Sequence, residues 1–139
     1  ADVIAGFPTE SDQAHQASLD MIEAAGIIHL HVFPYSSRSG TPAAAMPQLS
    51  PEIIKARARA LRQFGGQRLE EFLDCAVGST DQLLVEMGNR GHGRNFAKIR
   101  LDGACYPSGC LVDVNIVGRD GDSLVGRAQP GEIKAYELV

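Results

Sequence analysis

Two short, almost wholly apolar runs, separated by a helical pattern, constrain the fold of this chain more than any other feature. They are Val3-Ile4-Ala5 and residues 27–33, Ile-Ile-His-Leu-His-Val-Phe. Nearly continuous apolar character is typical of parallel strands covered on both faces. Between the runs, apolar residues recur at helical spacing until Gly26, a typical helix stop. We therefore expect a βαβ unit of a parallel sheet or barrel, wound right-handed as such units almost always are.

The ends of the two predicted helices follow from their capping residues. Thr9 is expected to cap the first helix. The second should begin at Ser50-Pro51-Glu52 and reach about Cys75, because an N-cap residue, a first-turn proline and an acid all favour a helix start. Gly65-Gly66 is expected to weaken or kink it. The irregular stretch 34–51 follows a parallel strand, at the end where α/β folds bind their ligands.

After Gly78 the pattern changes to short strands separated by glycine-containing turns. Alternating apolar and polar residues in 96–101 and 113–116 indicate strands with one buried and one exposed face. Asp120-Gly121 is a hairpin signal. Five strands are predicted: Gln82–Met87, Asn95–Leu101, Leu111–Val117, Ser123–Arg127 and Ile133–Leu138. The sequence thus predicts an α+β protein in which residues 1–75 form one domain and residues 76–139 a small antiparallel β-barrel, a fold that often binds oligonucleotides.

Charge limits the partners of this chain. Its 17 acids outnumber its 13 bases, giving a net charge of −4, which argues against binding nucleic acid through bulk charge. A local basic patch is still expected, because Arg90, Arg94, Lys98 and Arg100 occur together with no acid among them. The second helix carries further cations, interpreted as solvating charges spread around it: Lys55, Arg57, Arg59, Arg62 and Arg68.

The sequence also bears on compartment and metals. No apolar run is long enough for a bilayer and no secretory signal is present, so a cytoplasmic protein without a membrane partner is expected.

The cysteines, Cys75, Cys105 and Cys110, are odd in number and lack short metal-type spacing. Reduced thiols are expected, and a Cys105/Cys110 disulfide or metal pair stays open. His29 and His31 would share a strand face, but without a third ligand no metal site is expected, and His31 is placed in the barrel interior.

Three segments carry a resemblance to a known family. Residues 30–43, Leu-His-Val-Phe-Pro-Tyr-Ser-Ser-Arg-Ser-Gly-Thr-Pro-Ala, resemble the last barrel strand and following loop of the radical-SAM methylthiotransferases of the MiaB-like family. Residues 2–10 resemble the preceding strand, and the segment from Gly78, with 84–86 and 93–96, is similar to the TRAM domain. The resemblance implies that residues 1–75 are the C-terminal βαβα portion of a radical-SAM α/β barrel and that 76–139 form an OB-like TRAM barrel that binds RNA.

Within this family, the sequence is closest to the branch that acts on threonylcarbamoyladenosine beside the tRNA anticodon. The match lies in His-Val-Phe-Pro-Tyr-Ser at 31–36, with Arg38, Gly40 and Thr41. The isopentenyladenosine branch is similar in the Tyr-Ser-x-Arg-x-Gly-Thr portion and is the alternative. A non-catalytic RNA-binding module, with residues 1–75 as scaffold, is the alternative from another class.

The resemblance implies a reaction as well as a fold. In the family, a [4Fe-4S] cluster held by Cys-x-x-x-Cys-x-x-Cys cleaves S-adenosylmethionine, an auxiliary cluster supplies sulfur, and a second S-adenosylmethionine supplies the methyl group. The cysteines of this chain match neither that spacing nor that position. The chain also lacks an initiator Met. We therefore expect a C-terminal fragment of such an enzyme, with no catalytic residue of its own and no activity alone.

Two sets of binding residues are expected, of which the resemblance implies the first. The S-adenosylmethionine set consists of Ile4, Gly6, Phe7, Phe33, Pro34, Tyr35 and Arg38. A glycine at a strand end lets a flat ring approach the backbone, and apolar neighbours can sandwich it; Arg38 would contact a carboxylate or phosphate. The structural alternative is that Ile4 and Phe33 are barrel core, that Gly6 starts a turn and that Arg38 is a solvated charge.

The second set is expected to contact RNA, in the form of the tRNA anticodon stem-loop. It combines phosphate-seeking cations with one aromatic ring able to stack on a base: Arg90, His92, Arg94, Asn95, Phe96, Lys98 and Arg100. An ordinary solvated strand is the alternative. No DNA partner is expected. Because two barrel strands would lack their neighbours, self-association through an exposed apolar edge is also expected.

Overall fold

The computed structural model of the protein describes residues 1–103 and 105–130 in full, and the backbone of 134–135. Two compact units, Ala1–Leu69 and Glu70–Val139, divide the chain. The first contains β1 (Asp2–Ala5), α1 (Asp12–Ala24), β2 (His31–Pro34), a 3₁₀ turn (Pro42–Ala45) and most of α2 (Pro51–Ala76). The second contains the end of α2 and the strands β3 (Thr80–Met87), β4 (Arg90–His92), β5 (Lys98–Leu101), β6 (Cys110–Asp120), β7 (Ser123–Ala128) and β8 (Lys134–Ala135). No helix in the described ranges is long and apolar enough to cross a membrane.

In unit 1, β1 and β2 form a parallel pair around α1, as the βαβ pattern predicts. Their register runs from Asp2 opposite His31 to Ala5 opposite Pro34. Val3 and Val32 pack against a core that includes buried residues of both helices. Side chains alternate across a strand, and the opposite face carries Ile4 and Phe33, exposed by 56% and 51%. The expected burial on both faces is therefore not found within unit 1.

The ends of the first-unit elements differ from expectation in two places. The cap of α1 is Ser11 and not Thr9, since the Ser11 hydroxyl accepts a hydrogen bond of 3.1 Å from the Ala14 amide. β2 begins at His31 and not at Ile27. Just before β2, the amino group of Ala1 donates to the carbonyl of His29 at 2.6 Å, and the His31 amide donates to the carbonyl of Ala1 at 2.8 Å.

Gly65-Gly66 does not interrupt α2, which is continuous from Pro51 to Ala76. A Cβ at Gly65 would lie 2.9 Å from Leu30 Cδ1. The missing side chain thus allows Leu30 to approach the helix closely. Gly65 therefore serves packing rather than a kink, whereas a Cβ at Gly66 would meet nothing within 4 Å.

Unit 2 is a closed five-stranded barrel. Its strands follow the order β3-β4-β5-β7-β6, β6 pairs back onto β3, and β8 also pairs with β6. The pairings are antiparallel except β5 with β7, which is parallel. A small barrel was predicted and is confirmed, including the β6–β7 hairpin, where Asp120 pairs with Ser123 and Gly121 has a φ of +61°. The interior contains Leu83, Val85, Ile99, Leu101, Val114, Ile116 and Leu124.

The strand predictions for unit 2 need two corrections. The structure contains a strand that was not predicted, β4, which has only three residues and a central glycine and so gives too short a pattern to recognise in the sequence. A side chain at Gly91 would collide with the backbone carbonyl of Leu84. Residues 95–97 precede β5 and do not belong to it, because Gly93 donates to the carbonyl of Ala97 at 2.9 Å and closes a turn. The predicted strand 133–138 lies partly outside the described residues.

Candidate cofactor and nucleic-acid sites

The conformation of Gly6 and the carboxylate of Glu10 fix the turn that follows β1. Gly6 has a φ of +76°, and a Cβ there would lie 2.7 Å from Ile54 Cγ1, so glycine is required both for the conformation and for the contact with α2. The Gly6 amide donates a 3.0 Å hydrogen bond to Glu10 Oε2. This carboxylate therefore fixes the backbone at the end of β1.

Arg57 of α2 holds Glu10 in turn. Its guanidinium is buried and donates to the carbonyl oxygen and to Oε2 of Glu10, both at 2.7 Å, and to Asp12 Oδ1 at 2.6 Å. Burial lowers the pKa of Arg57, but the hydrogen bonds to Asp12 and Glu10 outweigh burial, and the net shift of the pKa is upward. Sequence reasoning missed this clamp because its members are 45 and 47 residues apart.

The apolar residues predicted for the cofactor lie at this end of the strands. Ile4 and Phe33 are register partners on the exposed face of the pair. The rings of Phe7 and Tyr35 meet edge to face, with centroids 5.5 Å apart and an interplanar angle of 74°. The Tyr35 hydroxyl is buried, and no hydrogen-bond partner for it occurs in the described part of the chain. The exposed apolar side chains of this strand end can cover one face of a flat ring.

Two members of the predicted set make different contacts. Pro34 pairs with Ala5 at the end of the ladder. Arg38 lies beyond it in an exposed turn, where its carbonyl accepts a 2.8 Å hydrogen bond from the Thr41 hydroxyl. Among the described residues, its guanidinium has no carboxylate within ion-pair distance. The structure thus gathers the apolar members at one strand end and leaves the Arg38 side chain free for a ligand.

In unit 2, four of the predicted RNA-contact residues share the outer face of β4 and β5. Arg90 lies opposite Arg100, and His92 lies opposite Lys98. Like charges directly opposite each other destabilise a sheet. These four line a shallow groove of about 410 Å³, together with three acids supplied by β3 and the β6–β7 hairpin: Glu86, Asp120 and Asp122.

These acids neutralise most of the basic patch. Lys98 Nζ lies 2.6 Å from Asp122 Oδ2, Arg100 Nη2 lies 3.6 Å from Asp120 Oδ2, and His92 Nδ1 lies 2.8 Å from Glu86 Oε1. The hydrogen bond from Lys98 lowers the pKa of Asp122. The stability this pair contributes is therefore present at neutral pH and lost as the pH falls through the folded-state pKa. None of these acids lies within residues 90–100. The sequence of that segment alone therefore overstates the positive charge of the patch.

The other three predicted residues lie in the turn between β4 and β5. Asp81 supports this turn, since its Oδ1 accepts from the Arg94 amide at 3.3 Å. Phe96 has a φ of +57° and is 76% exposed. A left-handed conformation is strained for an aromatic residue, and packing does not repay the strain here. Arg94 and Asn95 line a separate groove beside Asp81.

The remaining metal and thiol candidates are not assembled into a site. His31 is exposed by 74% in its side chain and lies 3.7 Å from Asp2, so within unit 1 it is not in the interior as expected. His29 precedes β2 and does not share a strand with it. All three cysteines are free, and only Cys110 is buried. Over residues 1–103 and 105–130, no group of three or more His, Cys, Asp or Glu side chains could hold a metal ion.

Comparison with known proteins supplies relatives along most of the chain. It is 47% identical over 102 residues, 73% of its length, to the threonylcarbamoyladenosine tRNA methylthiotransferase MtaB of Rickettsia prowazekii. It is 36% identical over 135 residues, 91% of its length, to the tRNA-2-methylthio-N(6)-dimethylallyladenosine synthase of Magnetococcus marinus. The MtaB of Aquifex aeolicus is 35% identical over 103 residues. No family model matches the chain.

These relatives are much longer than the present chain. The matched residues make up 24% of the Rickettsia protein, 31% of the Magnetococcus protein and 25% of the Aquifex protein. The relatives carry names of the two tRNA-modifying branches to which the motifs at 2–10 and 30–43 point. The recognition made from those motifs is confirmed: this chain belongs to the MiaB-like family of tRNA methylthiotransferases, of whose members it spans about a quarter to a third.

Proposed function

We propose that this chain is the C-terminal part of an enzyme that adds a 2-methylthio group to N6-threonylcarbamoyladenosine next to the tRNA anticodon. The observation that carries the proposal is the 47% identity to a threonylcarbamoyladenosine enzyme, which exceeds the 32% to 38% identities to dimethylallyladenosine enzymes. The dimethylallyl (isopentenyl) substrate is the second candidate, because those relatives match more of the chain, 91% against 73%.

In this proposal the two halves have different tasks. Residues 1–75 contribute the last part of a radical-SAM barrel, and residues 76–139 are the TRAM domain, which binds the anticodon stem-loop. Cys75, Cys105 and Cys110 lack the spacing of cluster ligands. Other cysteines of the whole enzyme would therefore hold the [4Fe-4S] clusters, and this chain alone would be inactive. A cytoplasmic location and self-association of the isolated chain through an exposed barrel edge belong to the same proposal.

The end of the β1–β2 pair fits the adenine half of S-adenosylmethionine. Ile4 and Phe33 offer exposed apolar contacts, whereas Gly6 packs against Ile54 of α2 and shapes the turn after β1. Arg38, which has no carboxylate within ion-pair distance among the described residues, would bind the carboxylate. When bound, S-adenosylmethionine supplies the radical and the methyl group. The residues of this chain orient it, and the Arg57–Glu10 clamp keeps the binding turn fixed.

The outer surface of unit 2 is proposed to bind tRNA in two ways. Arg90, Arg94, Lys98 and Arg100 would contact phosphates, and Phe96 would stack on an unpaired base. Asp120 and Asp122 already form ion pairs with Arg100 and Lys98, the cations that RNA phosphates would approach. The two aspartates therefore compete with RNA and limit its affinity.

The reaction is tested by nucleoside mass spectrometry of tRNA. The whole enzyme that contains this chain is expressed in cells lacking their own methylthiotransferases, and the modified adenosines are identified. We expect the methylthio group on threonylcarbamoyladenosine. Its appearance on isopentenyladenosine alone would favour the second candidate, and its absence from both nucleosides would contradict the proposed function.

The RNA surface is tested with the double substitution Arg94→Ala/Lys98→Ala. Losing two phosphate contacts should weaken tRNA binding roughly tenfold and reduce the slope of log affinity against log salt by about 1 to 2. Fluorescence anisotropy with labelled tRNA over a salt series measures both quantities.

Two further variants make this result specific. Arg119→Ala/Arg127→Ala removes the same charge from arginines that pair with Asp74 and Asp102, and should have little effect. Asp120→Asn/Asp122→Asn should instead raise the affinity several-fold and steepen the salt slope. Equal losses for the two arginine-containing doubles would refute the assigned surface.

A further inference from the structure

The middle of α2 has an unusual charge pattern. Between Ile53 and Leu69 the sequence contains five cations and no acid, in a chain whose net charge is −4. Arg57 is neutralised by Glu10 and Asp12. Three of the others, Lys55, Arg59 and Arg62, are spaced i, i+4 and i+7 and therefore share one helix face. The expectation that these cations spread evenly around the helix as solvating charges is wrong for this set.

The same three side chains line one groove of unit 1. The groove has a volume of about 310 Å³, and Pro34, Ala58 and Gln63 complete its walls. Arg62 Nη2 donates a 3.1 Å hydrogen bond to the carbonyl of Val32, which anchors that guanidinium beside β2. In the described part of the chain, no carboxylate lies within ion-pair distance of Lys55, Arg59 or Arg62.

This arrangement is unfavourable for the isolated helix. Like charges at i, i+4 repel each other and destabilise a helix. In the unit 2 groove, Lys98 and Arg100 have carboxylate partners, whereas the α2 face has none. An anion bound in the groove would remove the repulsion and supply the missing partners.

We infer that the α2 face formed by Lys55, Arg59 and Arg62 binds the phosphate backbone of RNA and gives unit 1 a tRNA contact of its own. This inference rests on the proposed tRNA substrate. The three residues extend over about 10 Å along the helix axis, which suits a run of phosphates better than a single one. Gln63 offers an amide for a ribose hydroxyl, and no aromatic side chain lines the groove, so the contact reads no base.

The test uses the 139-residue chain with the double substitution Lys55→Gln/Arg59→Gln. Arg62 is left in place because it also bonds to Val32. Anisotropy with labelled tRNA is recorded between about 50 and 200 mM salt. We expect roughly tenfold weaker binding and a salt slope smaller by about 1.5, with a melting temperature that is unchanged or higher because the like-charge repulsion is gone.

The matched control is Arg119→Gln/Arg127→Gln, which removes the same charge from carboxylate-paired arginines and should bind as the parent does. If both double variants lost tRNA affinity equally, the loss would reflect only the lower net positive charge, and the inference would be overturned. If Arg94→Ala/Lys98→Ala weakens binding and Lys55→Gln/Arg59→Gln does not, the inference fails and the proposed function stands. If the parent chain does not bind tRNA, both fail.

A competition arm separates RNA from free phosphate. Polyuridylate and inorganic phosphate are added at equal phosphate concentration to the complex of chain and tRNA. We expect polyuridylate to displace tRNA from the parent and to do so more weakly from Lys55→Gln/Arg59→Gln. Equal displacement by inorganic phosphate would identify a single-phosphate site and overturn the RNA assignment.

Discussion

Replacing Arg57 with methionine is expected to lower the free energy of unfolding of unit 1 by about 3 kcal/mol, the lower end of the range for breaking a buried ion pair. Arg57 and Glu10 have side chains exposed by only 8% and 12%. The substitution would leave the Glu10 carboxylate buried with only the Gly6 amide as partner. Asp12 contributes little to this loss, because its side chain is fully exposed.

Urea unfolding followed by helical circular dichroism measures this effect, since α1 and most of α2 lie in unit 1. Arg62→Met is the matched control on the same helix; Arg62 makes one backbone hydrogen bond at an exposed site, so a loss of about 0.5 to 1 kcal/mol is expected. Adding Glu10→Gln to Arg57→Met should recover part of the stability, because a neutral amide replaces the stranded charge. A loss below about 1 kcal/mol for Arg57→Met would show that the ion pair does not hold the turn.

The same substitution bears on the proposed cofactor site. Without Arg57, Glu10 keeps only its hydrogen bond to the Gly6 amide, and the turn after β1 is held less firmly. In the whole enzyme, S-adenosylmethionine should then bind more weakly, while Arg57→Lys should preserve part of the affinity through its remaining charge. Arg57 acts through Glu10 and is a positioning residue.

Local patterns in the sequence were sufficient for several elements that depend on near neighbours. The apolar runs and the helical spacing between them give the β1–α1–β2 unit, the Ser50-Pro51-Glu52 start gives α2, and the Asp120-Gly121 pair gives the hairpin. Each depends on backbone preferences within a few residues. The sequence also shows that Lys55, Arg59 and Arg62 share a helix face. It does not show the groove that they line, because the groove includes a residue of β2 more than twenty positions earlier.

Ion pairs between residues far apart in the sequence could not be predicted from local patterns. The partners of Lys98 and Arg57 lie 24 and 47 residues away, so the sequence showed a bare basic patch and a solvated arginine where the structure has ion pairs. Phe96 shows a different limit. Alternation alone placed it on a strand face with Lys98 and Arg100, whereas the hydrogen bond from Gly93 to Ala97 takes it into a turn.

Phe96→Gly is expected to weaken binding of unpaired RNA by roughly tenfold or more, because stacking on an aromatic side chain contributes about 1–3 kcal/mol per base. The same change should leave the free energy of unfolding unchanged or raise it by up to about 1 kcal/mol, since glycine adopts a left-handed conformation without the steric cost that phenylalanine bears. Few contacts are lost, because the ring is 76% exposed. Anisotropy with the anticodon stem-loop and urea unfolding measure the two quantities.

Opposite signs for stability and binding distinguish a ligand-contacting ring from a structural one. Phe96→Trp should keep the affinity and, because the chain has no tryptophan of its own, should report stacking as fluorescence quenching when RNA binds. Met21→Trp, at a 64% exposed site on α1, is the matched reporter and should not be quenched. If Phe96→Gly lost more than about 1 kcal/mol of stability and bound RNA as the parent does, Phe96 would serve the fold, and the strained turn would need another explanation.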